Sequence, residues 1–282
     1  MNLTQLQTFL AIVETGSFSS AGDKLHSVQS NITGRIRRLE EELGGPVFER
    51  GRGGARMTVL GERLEPYAKD ILARVATAET DLKDAAGGAA PLRLGALETT
   101  AGSRLPALLK RLSLKLPEAI VTLDTGPSGL LTRKIWDRQL DAAFVVGKVD
   151  ESRFEHCAAF EESLVVAKSA DLESADTLLA FADGCSYRAA ALNWLRETGR
   201  GDTSIREMGS LNAILGCVGA GLGFAVAPRS AVDTYNALET LALKSLDGEL
   251  ATSHTSLIWR VDVRPSRAVN ALVDILGSEK HP

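Results

Sequence analysis

LQTFLAIVETGSFSSAGDKLHSVQSNITGRIRRLEEELGGPVFER, residues 6–50, is the stretch from which the rest of the chain is read. Leu3, Leu6, Phe9, Leu10 and Val13 recur at helical spacing, and Thr15-Gly16 ends that run. Ser17 is placed to cap a second, short helix carrying Phe18, Ala21 and Leu25 on one face. A third helix carries Ile32, Ile36, Leu39 and Leu43 at intervals of 4, 3 and 4, and Gly44-Gly45 closes it. Three short amphipathic helices in succession predict a helix-turn-helix.

The outward face of the third helix points to the chemistry. At 100° per residue its four apolar side chains fall within about 60° of one another. Ser30, Gly34 and Arg37 then point the opposite way, with Thr33 and Arg38 on the flanks. Between Ser27 and Leu39 stand Arg35, Arg37 and Arg38 and no acid; Glu40, Glu41 and Glu42 follow only at the C-terminal end. A helix entering the major groove N-terminus first would present its cations and its positive dipole end to phosphate. After Pro46 the chain reads as a β-hairpin, VFER and ARMTV around a GRGG tip, with Arg50, Arg52 and Arg56 on or beside that tip. Such a wing lays guanidinium groups on the phosphate backbone.

The average charge hides this end. The 282 residues carry 32 Lys+Arg against 36 Asp+Glu, a net −4, which taken alone argues against a nucleic-acid partner. Residues 1–59 nevertheless hold seven basic side chains against six acidic ones, and six of those seven cations sit in the third helix and the wing. At 44% hydrophobic and 24% charged, the chain is neither disordered nor fibrous, and its length suggests two or three domains. Cys157, Cys185 and Cys217 are odd in number, widely spaced and without a CxxC, so they predict reduced thiols and no zinc site. No signal peptide is written at the N-terminus. The uncharged stretch 208–228 is broken by five glycines and reads as helix-turn-strand rather than a membrane span. A cytoplasmic protein is expected.

The quoted stretch, followed by RMTVLGE, resembles the LysR-type transcriptional regulators, with helix-turn-helix, wing and following helix in order at matching distances. The resemblance implies DNA contacts from Gln29, Ser30, Thr33, Arg35, Arg37, Arg50, Arg52 and Arg56. Two positions depart from the family pattern: Val28 stands where a capping Ser is usual, and Gly34 where a basic residue is frequent. A glycine inside a helix costs about 1 kcal/mol relative to Ala, and its use would be a close approach to DNA.

Leu60, Leu64, Tyr67, Ile71, Val75 or Ala78, and Leu82 then form an a/d-like stripe on a helix over 60–86, interrupted only by Pro66 in its first two turns. Such a stripe either packs back on its own domain or meets a partner helix, and the resemblance favours an antiparallel dimerising linker. Gly87 to Pro91 reads as a hinge. The expected division is a winged helix-turn-helix over 1–59, linker helix and hinge over 60–90, and an effector-binding domain over 91–282.

From Leu92 strands alternate with helices: LRLGAL, a helix from Thr100 to Leu116, IVTLDT, a helix from Gly129 to Arg138, AAFVVG, and LVVAK. The alternation predicts an α/β fold with parallel sheet, whose binding sites lie at strand C-termini beside helix N-termini. Those places hold Glu98, Thr99 and Thr100; Thr125 and Ser128; Val146; Cys185, Ser186 and Arg188; and Ser210. Arg188 could hold a carboxylate bidentately or pair with Glu197 or Glu207. Glu98 could meet a cationic effector or serve a helix dipole. Cys185 could be a packed or cleft-lining thiol, or a redox sensor with a lowered pKa. This half resembles the family's effector domain, which is similar to periplasmic solute-binding proteins. The resemblance implies one subdomain of about 91–160 plus 266–282 and another of about 161–265. GALETT, TGPSG, CSYR and GCVGAGLGFAVAPRS look most like a subgroup that includes a putrescine-utilisation regulator.

An enzyme is not expected. The four histidines show no ligand spacing, a His156/Cys185 pair has no supporting residues nearby, and the glycines at 219–223 follow a helix and are not GxGxxG. No metal or cofactor is expected. A solute-binding protein, the other class considered, would carry a signal peptide and no DNA-reading end. The expected partners are double-stranded promoter DNA at dyad sites, a small-molecule effector and further copies of the chain as homodimer and homotetramer. RNA polymerase is a further candidate partner, and no membrane is expected.

Overall fold

In a computed structural model, which describes residues 1–51, 54–87, 90–173, 175–235 and 240–278, the chain forms two compact units, Met1–Leu82 and Lys83–Pro282. Helix α1, Leu3–Thr15, opens on a reciprocal cap: the Asn2 side chain accepts the Gln5 amide and the Gln5 side chain accepts the Asn2 amide. It stops at Gly16 in the left-handed region, φ 69°. Helix α2, Phe18–Lys24, starts where the Ser17 hydroxyl accepts the amides of Ser19 and Ser20, as its sequence predicts. Helix α3, Gln29–Leu43, begins at Val28, which supplies no capping bond.

The apolar faces of these helices close one core. Phe9, Ile12, Ile32, Ile36 and Leu39 are fully buried in it, each stabilising the unit by roughly 1.5–3 kcal/mol relative to exposure. The hairpin pairs β1, Phe48–Gly51, antiparallel with β2, Gly54–Met57. Phe48 closes the hairpin onto the helices, its ring 5.2 Å from Phe9 and 5.7 Å from Phe18. Gly54 has φ 100°, and a Cβ there would lie 2.8 Å from the Gly16 carbonyl oxygen. The Ala55 amide donates to that carbonyl at 2.9 Å, so the return strand is tied to the α1–α2 turn.

Helix α4, Val59–Ala85, divides its stripe between two uses. Leu64 and Ala68 are buried in the N-terminal core, and Leu60, Ile71 and Leu72 pack against it. Tyr67 and Leu82 stand about 70% exposed. The first turns of the stripe therefore pack on their own unit, and an apolar remainder faces outward.

In the second unit β3, Ala90–Ala96, lies between β4, Ala119–Thr125, and β5, Ala142–Val146, and all three are parallel. The expected parallel sheet is found in these three strands, and antiparallel strands that the sequence did not announce extend it. Strand β6, Phe154–Ser169, pairs antiparallel with β11, Thr252–Arg260, then with β9, Ala225–Pro228, and β10, Leu241–Ser245. Strand β11 also runs antiparallel to β5. Residues 154–163 mix polar and apolar side chains without clean alternation, so the sequence shows only the apolar LVVAK end of a 16-residue strand. A further parallel pair is β7, Thr177–Ala180, with β8, Ser204–Glu207.

The helix expected over 100–116 is two, α5, Glu98–Ser103, and α6, Leu105–Lys115. Pro106 lacks an amide proton and sits within the first two positions of α6, where that lack is harmless. The break leaves Arg104 free to reach Glu162 on β6, bidentately at 2.7 and 3.0 Å. Glu162 is 3% exposed and also accepts the Ser230 hydroxyl at 2.6 Å. Three further helices matter for the site: α7, Ser128–Trp136; α8, Ser186–Glu197; and α9, Leu211–Gly219. Helix α9 and β9 are the helix-turn-strand read from 208–228, and Ser230 opens onto α10, Arg229–Thr234.

Candidate functional site

Two surfaces carry the chemistry, one in each unit. In the first, Gln29, Ser30, Gly34 and Arg37 of α3 are exposed, and Thr33 and Arg35 are half-buried. Gln29 and Thr33 line a notch of about 300 Å³ with Ser17 and Ser19 of the α2 start and Gly54 and Ala55 of the wing. The uncapped first turn of α3 opens beside that notch, and its free amides and dipole favour an anion. Arg37 pairs with Glu41 at 2.8 Å on open surface, an interaction worth about 0–1 kcal/mol and easily exchanged for a phosphate. Arg56 is exposed on β2, across from Glu49. The Arg50 backbone pairs with Ala55; its side chain, and the whole of Arg52, lie outside the described residues.

The acids at the end of α3 have internal work that their sequence does not announce. Glu40 accepts the amides of Val47 at 2.9 Å and Phe48 at 3.4 Å and so starts the hairpin. Glu42 accepts from the Gln5 side chain at 3.2 Å and pairs with the Met1 amino group.

In the second unit a cavity of about 250 Å³ opens where the ends of β3 and β4 meet the first turn of α8. Of the residues expected there, Glu98, Thr99, Thr125 and Cys185 line it. Pro127 and Tyr187, from the strand-end segments TGPS and CSYR, line it too, as do Leu97, Phe181, Asp183 and Met208, which were not singled out from sequence. Tyr187 had a readable signal, an aromatic with a polar tip in the first turn of a helix within CSYR. Thr99 also borders a neighbouring cavity of about 340 Å³, with Ser103, Asn212 and Tyr235. All three cysteines are half-buried, and none of them is in a disulfide.

The other expected residues do structural work or sit behind the wall. Ser128 accepts the Val146 amide at 3.0 Å and ties α7 to β5. Ser210 caps α9 by accepting the Ala213 amide at 3.2 Å. Thr100 is buried, and Ser186 is half-buried; neither lines the cavity. Arg188 does not line it either: its Nη1 donates to the Phe181 carbonyl at 3.0 Å and to Glu207 at 2.9 Å. Of its two readings, the pair with Glu207 is the one found; α8 packs in one core with β7 and β9, and Arg188 reaches from it to Phe181, just past β7, and to Glu207 at the end of β8. Glu98 does serve a helix N-terminus, but that of α9: its Oε1 accepts the Leu211 amide at 3.0 Å.

Two buried hydroxyls sit beside the cavity, Thr99 Oγ1 and Tyr187 OH, on residues 3% exposed, and the Thr99 side chain is the hydrogen-bonding neighbour of the Tyr187 phenol. Burial pushes the Tyr187 phenol up to about 12, against a smaller opposing pull from the nearby Thr99 hydroxyl. The phenol is therefore a neutral donor and acceptor at any physiological pH. Among the described residues no three His, Cys, Asp or Glu side chains are grouped to hold a metal ion, and no helix is long and apolar enough to cross a membrane.

Comparison with known proteins finds a family match in each unit. Residues 3–62 match the family model for bacterial regulatory helix-turn-helix proteins of the lysR family, and residues 85–280 match the LysR substrate binding domain. The chain is 35% identical over 279 residues to the uncharacterized HTH-type transcriptional regulator YusT of Bacillus subtilis, covering 97% of this chain and 95% of that protein. It is equally 35% identical over 279 residues to the HTH-type transcriptional regulator YofA of Bacillus velezensis, covering 97% of each. Among solved structures, full-length CbnR complexed with its target DNA is similar at a TM-score of 0.74 and 20% identity over 99% of both chains. A full-length OxyR variant from Pseudomonas aeruginosa is similar at 0.70 and 24% identity, covering 98% of this chain and 94% of that one. These two likenesses show the fold. The helix-turn-helix match sets aside the solute-binding reading.

Proposed function

The chain belongs to the LysR family of DNA-binding transcriptional regulators, and from that premise we propose that it senses a small molecule in the cavity at the ends of β3 and β4 and changes its grip on promoter DNA in response. The observation that carries the sensing half is the cavity itself, walled by Glu98, Thr99, Thr125 and Cys185. In the DNA-reading half, Gln29, Ser30 and Thr33 meet base edges, and Arg35, Arg37, Arg50, Arg52 and Arg56 meet phosphates. The functional division is 1–59 for DNA, 60–90 for the linker and 91–282 for the effector, with subdomains of about 91–160 plus 266–282 and 161–265. Two copies joined through α4 engage dyad-related half-sites in the cytoplasm, and two such dimers make the working unit. Ligand binding shifts the population between two subunit arrangements and so alters DNA bending.

The relatives reported above do not carry the narrower likeness to a putrescine-utilisation regulator, and the proposal does not include it. A mobility-shift titration on the DNA upstream of the protein's own reading frame tests the DNA half. Specific binding that weakens steeply with added salt is expected; its absence with and without effector would overturn the reading.

A further inference from the structure

We propose that Asn31 and Val28 are base-reading residues, Asn31 taking the N6 and N7 edge of an adenine and Val28 packing on the methyl of a neighbouring thymine; this rests on the DNA reading above and deepens it. Neither side chain has an internal reason to be where it is. Val28 is the N-cap of α3, where a Ser, Thr, Asp or Asn would accept a first-turn amide, and it gives no capping bond. Its side chain is 64% exposed, so it gains little from packing either. The Asn31 side chain is exposed too, and among the described residues it has no hydrogen-bond partner. Asn is also a poorer helix former than an Ala on the same open surface.

The two residues stand side by side on a fixed frame. The Asn31 amide donates to the Val28 carbonyl at 2.9 Å. The turn before them is held by the Ser27 amide, which donates to the Gly22 carbonyl at 2.9 Å, and a Cβ on Gly22 would lie 2.6 Å from the Ser27 carbonyl oxygen. Gly34 follows one turn on, about 60° round the helix from Asn31 at 100° per residue. Thr33, which lines the notch beside the wing, lies about 160° from Asn31, so the two border the outward face from opposite sides.

The chemistry of the side chains selects the bases. In the major groove adenine sets an acceptor, N7, beside a donor, N6, and a carboxamide matches both at once. The C5 methyl of thymine is an apolar group in that groove, and the branched methyls of Val28 are its complement. Asn is short, so its amide reaches a base edge only where the helix comes close. The missing side chain at Gly34 gives room for that approach, since a Cβ there would meet nothing within 4 Å in its own chain. Arg37, exposed farther along α3, is left for phosphate.

The test is a mobility-shift titration of the full chain on its own upstream dyad, with 7-deazaadenine replacing each adenine in turn and uracil replacing each thymine. The first removes N7 and the second removes the methyl. For the parent chain, one adenine of each half-site is expected to cost about tenfold when replaced, and a neighbouring thymine about threefold. Asn31→Ala should weaken binding to the unmodified dyad about tenfold, leave binding to a shuffled sequence unchanged, and no longer respond at that adenine. Val28→Ser should no longer respond at that thymine. Both replacements favour the helix, Ala by propensity and Ser as an N-cap, so lost binding is not lost folding. Asn31→Ala that binds the dyad as the parent does, or responds to every 7-deazaadenine as the parent does, overturns the adenine contact. Val28→Ser that responds to every uracil as the parent does overturns the thymine contact. In both cases specific binding by the parent keeps the DNA reading itself in place, whereas a parent chain that distinguishes no sequence overturns that reading and this one with it.

Discussion

Gly34 has no internal reason to be glycine. It lies within α3, away from any left-handed turn, and a Cβ placed on it would meet nothing within 4 Å. Glycine in a helix interior costs about 1 kcal/mol relative to Ala, a cost this unit bears with no packing in return. It is flanked on the outer face by Ser30 and Arg37, so its use lies in letting DNA approach the helix backbone. Gly34→Ala is therefore expected to raise the stability of the N-terminal unit by up to about 1 kcal/mol while weakening specific promoter binding. Denaturant unfolding and mobility shift on the same variant check the two effects, and a gain in both would contradict the reading. This residue and its outward face were legible in the helical periodicity. The internal roles of Glu40 and Glu42 were not, because their partners, Val47 and Met1, are chosen by packing between elements rather than by spacing along one; the pair of Arg188 with Glu207 was legible only as one of two alternatives.

The linker helix shows how far periodicity reaches at the scale of an element. Its stripe is real, but a stripe does not state which surface it faces. Leu64 and Ala68 bury against the helix-turn-helix, and Leu82, 71% exposed, has no cover within its own chain. In the proposed dimer this exposed leucine, at a continuing heptad position, would meet a second copy of the helix. Leu82→Lys should weaken self-association about tenfold or more and leave the circular dichroism of the chain unchanged, as sedimentation at several concentrations would show. Unaltered assembly would mean that the copies meet elsewhere. The sheet was legible in part for a related reason. Strands β3, β4 and β5 alternate with helices and are readable as parallel, whereas β6 passes from one set of partners to another and carries no single period.

Across the whole molecule, charge placement separates the two functions more sharply than total charge. Cations gather on α3 and the wing, and the charged side chains lining the effector cavity are acids. Elsewhere charge serves stability, as where Asp262 receives Arg260 at 2.7 and 2.8 Å and Arg138 at 3.1 Å. The Arg260 hydrogen bond, aided by both guanidinium charges, lowers the Asp262 carboxyl from 3.8 to about 2. Because the folded value is the lower one, the stabilisation is present above pH 3.8 and is lost as pH falls from there toward 2. Asp262→Asn should therefore lower the denaturant midpoint at neutral pH, and its deficit against the parent protein should shrink as pH falls below 4. A deficit that stays constant with pH would mean that packing, not charge, explains it.

Sequence reading by the first turn of α3 and phosphate holding by the arginines are separable in one measurement. It is a mobility-shift titration comparing the protein's own upstream dyad with a shuffled sequence, at several salt concentrations, for the parent chain, Thr33→Ala and Arg56→Ala. Thr33→Ala is expected to lower the ratio of specific to shuffled affinity about tenfold with the salt slope unchanged. Arg56→Ala is expected to weaken binding to both sequences alike and to reduce the salt slope by about one. Equal loss on both sequences from Thr33→Ala, together with an unaltered slope from Arg56→Ala, would overturn this division of labour.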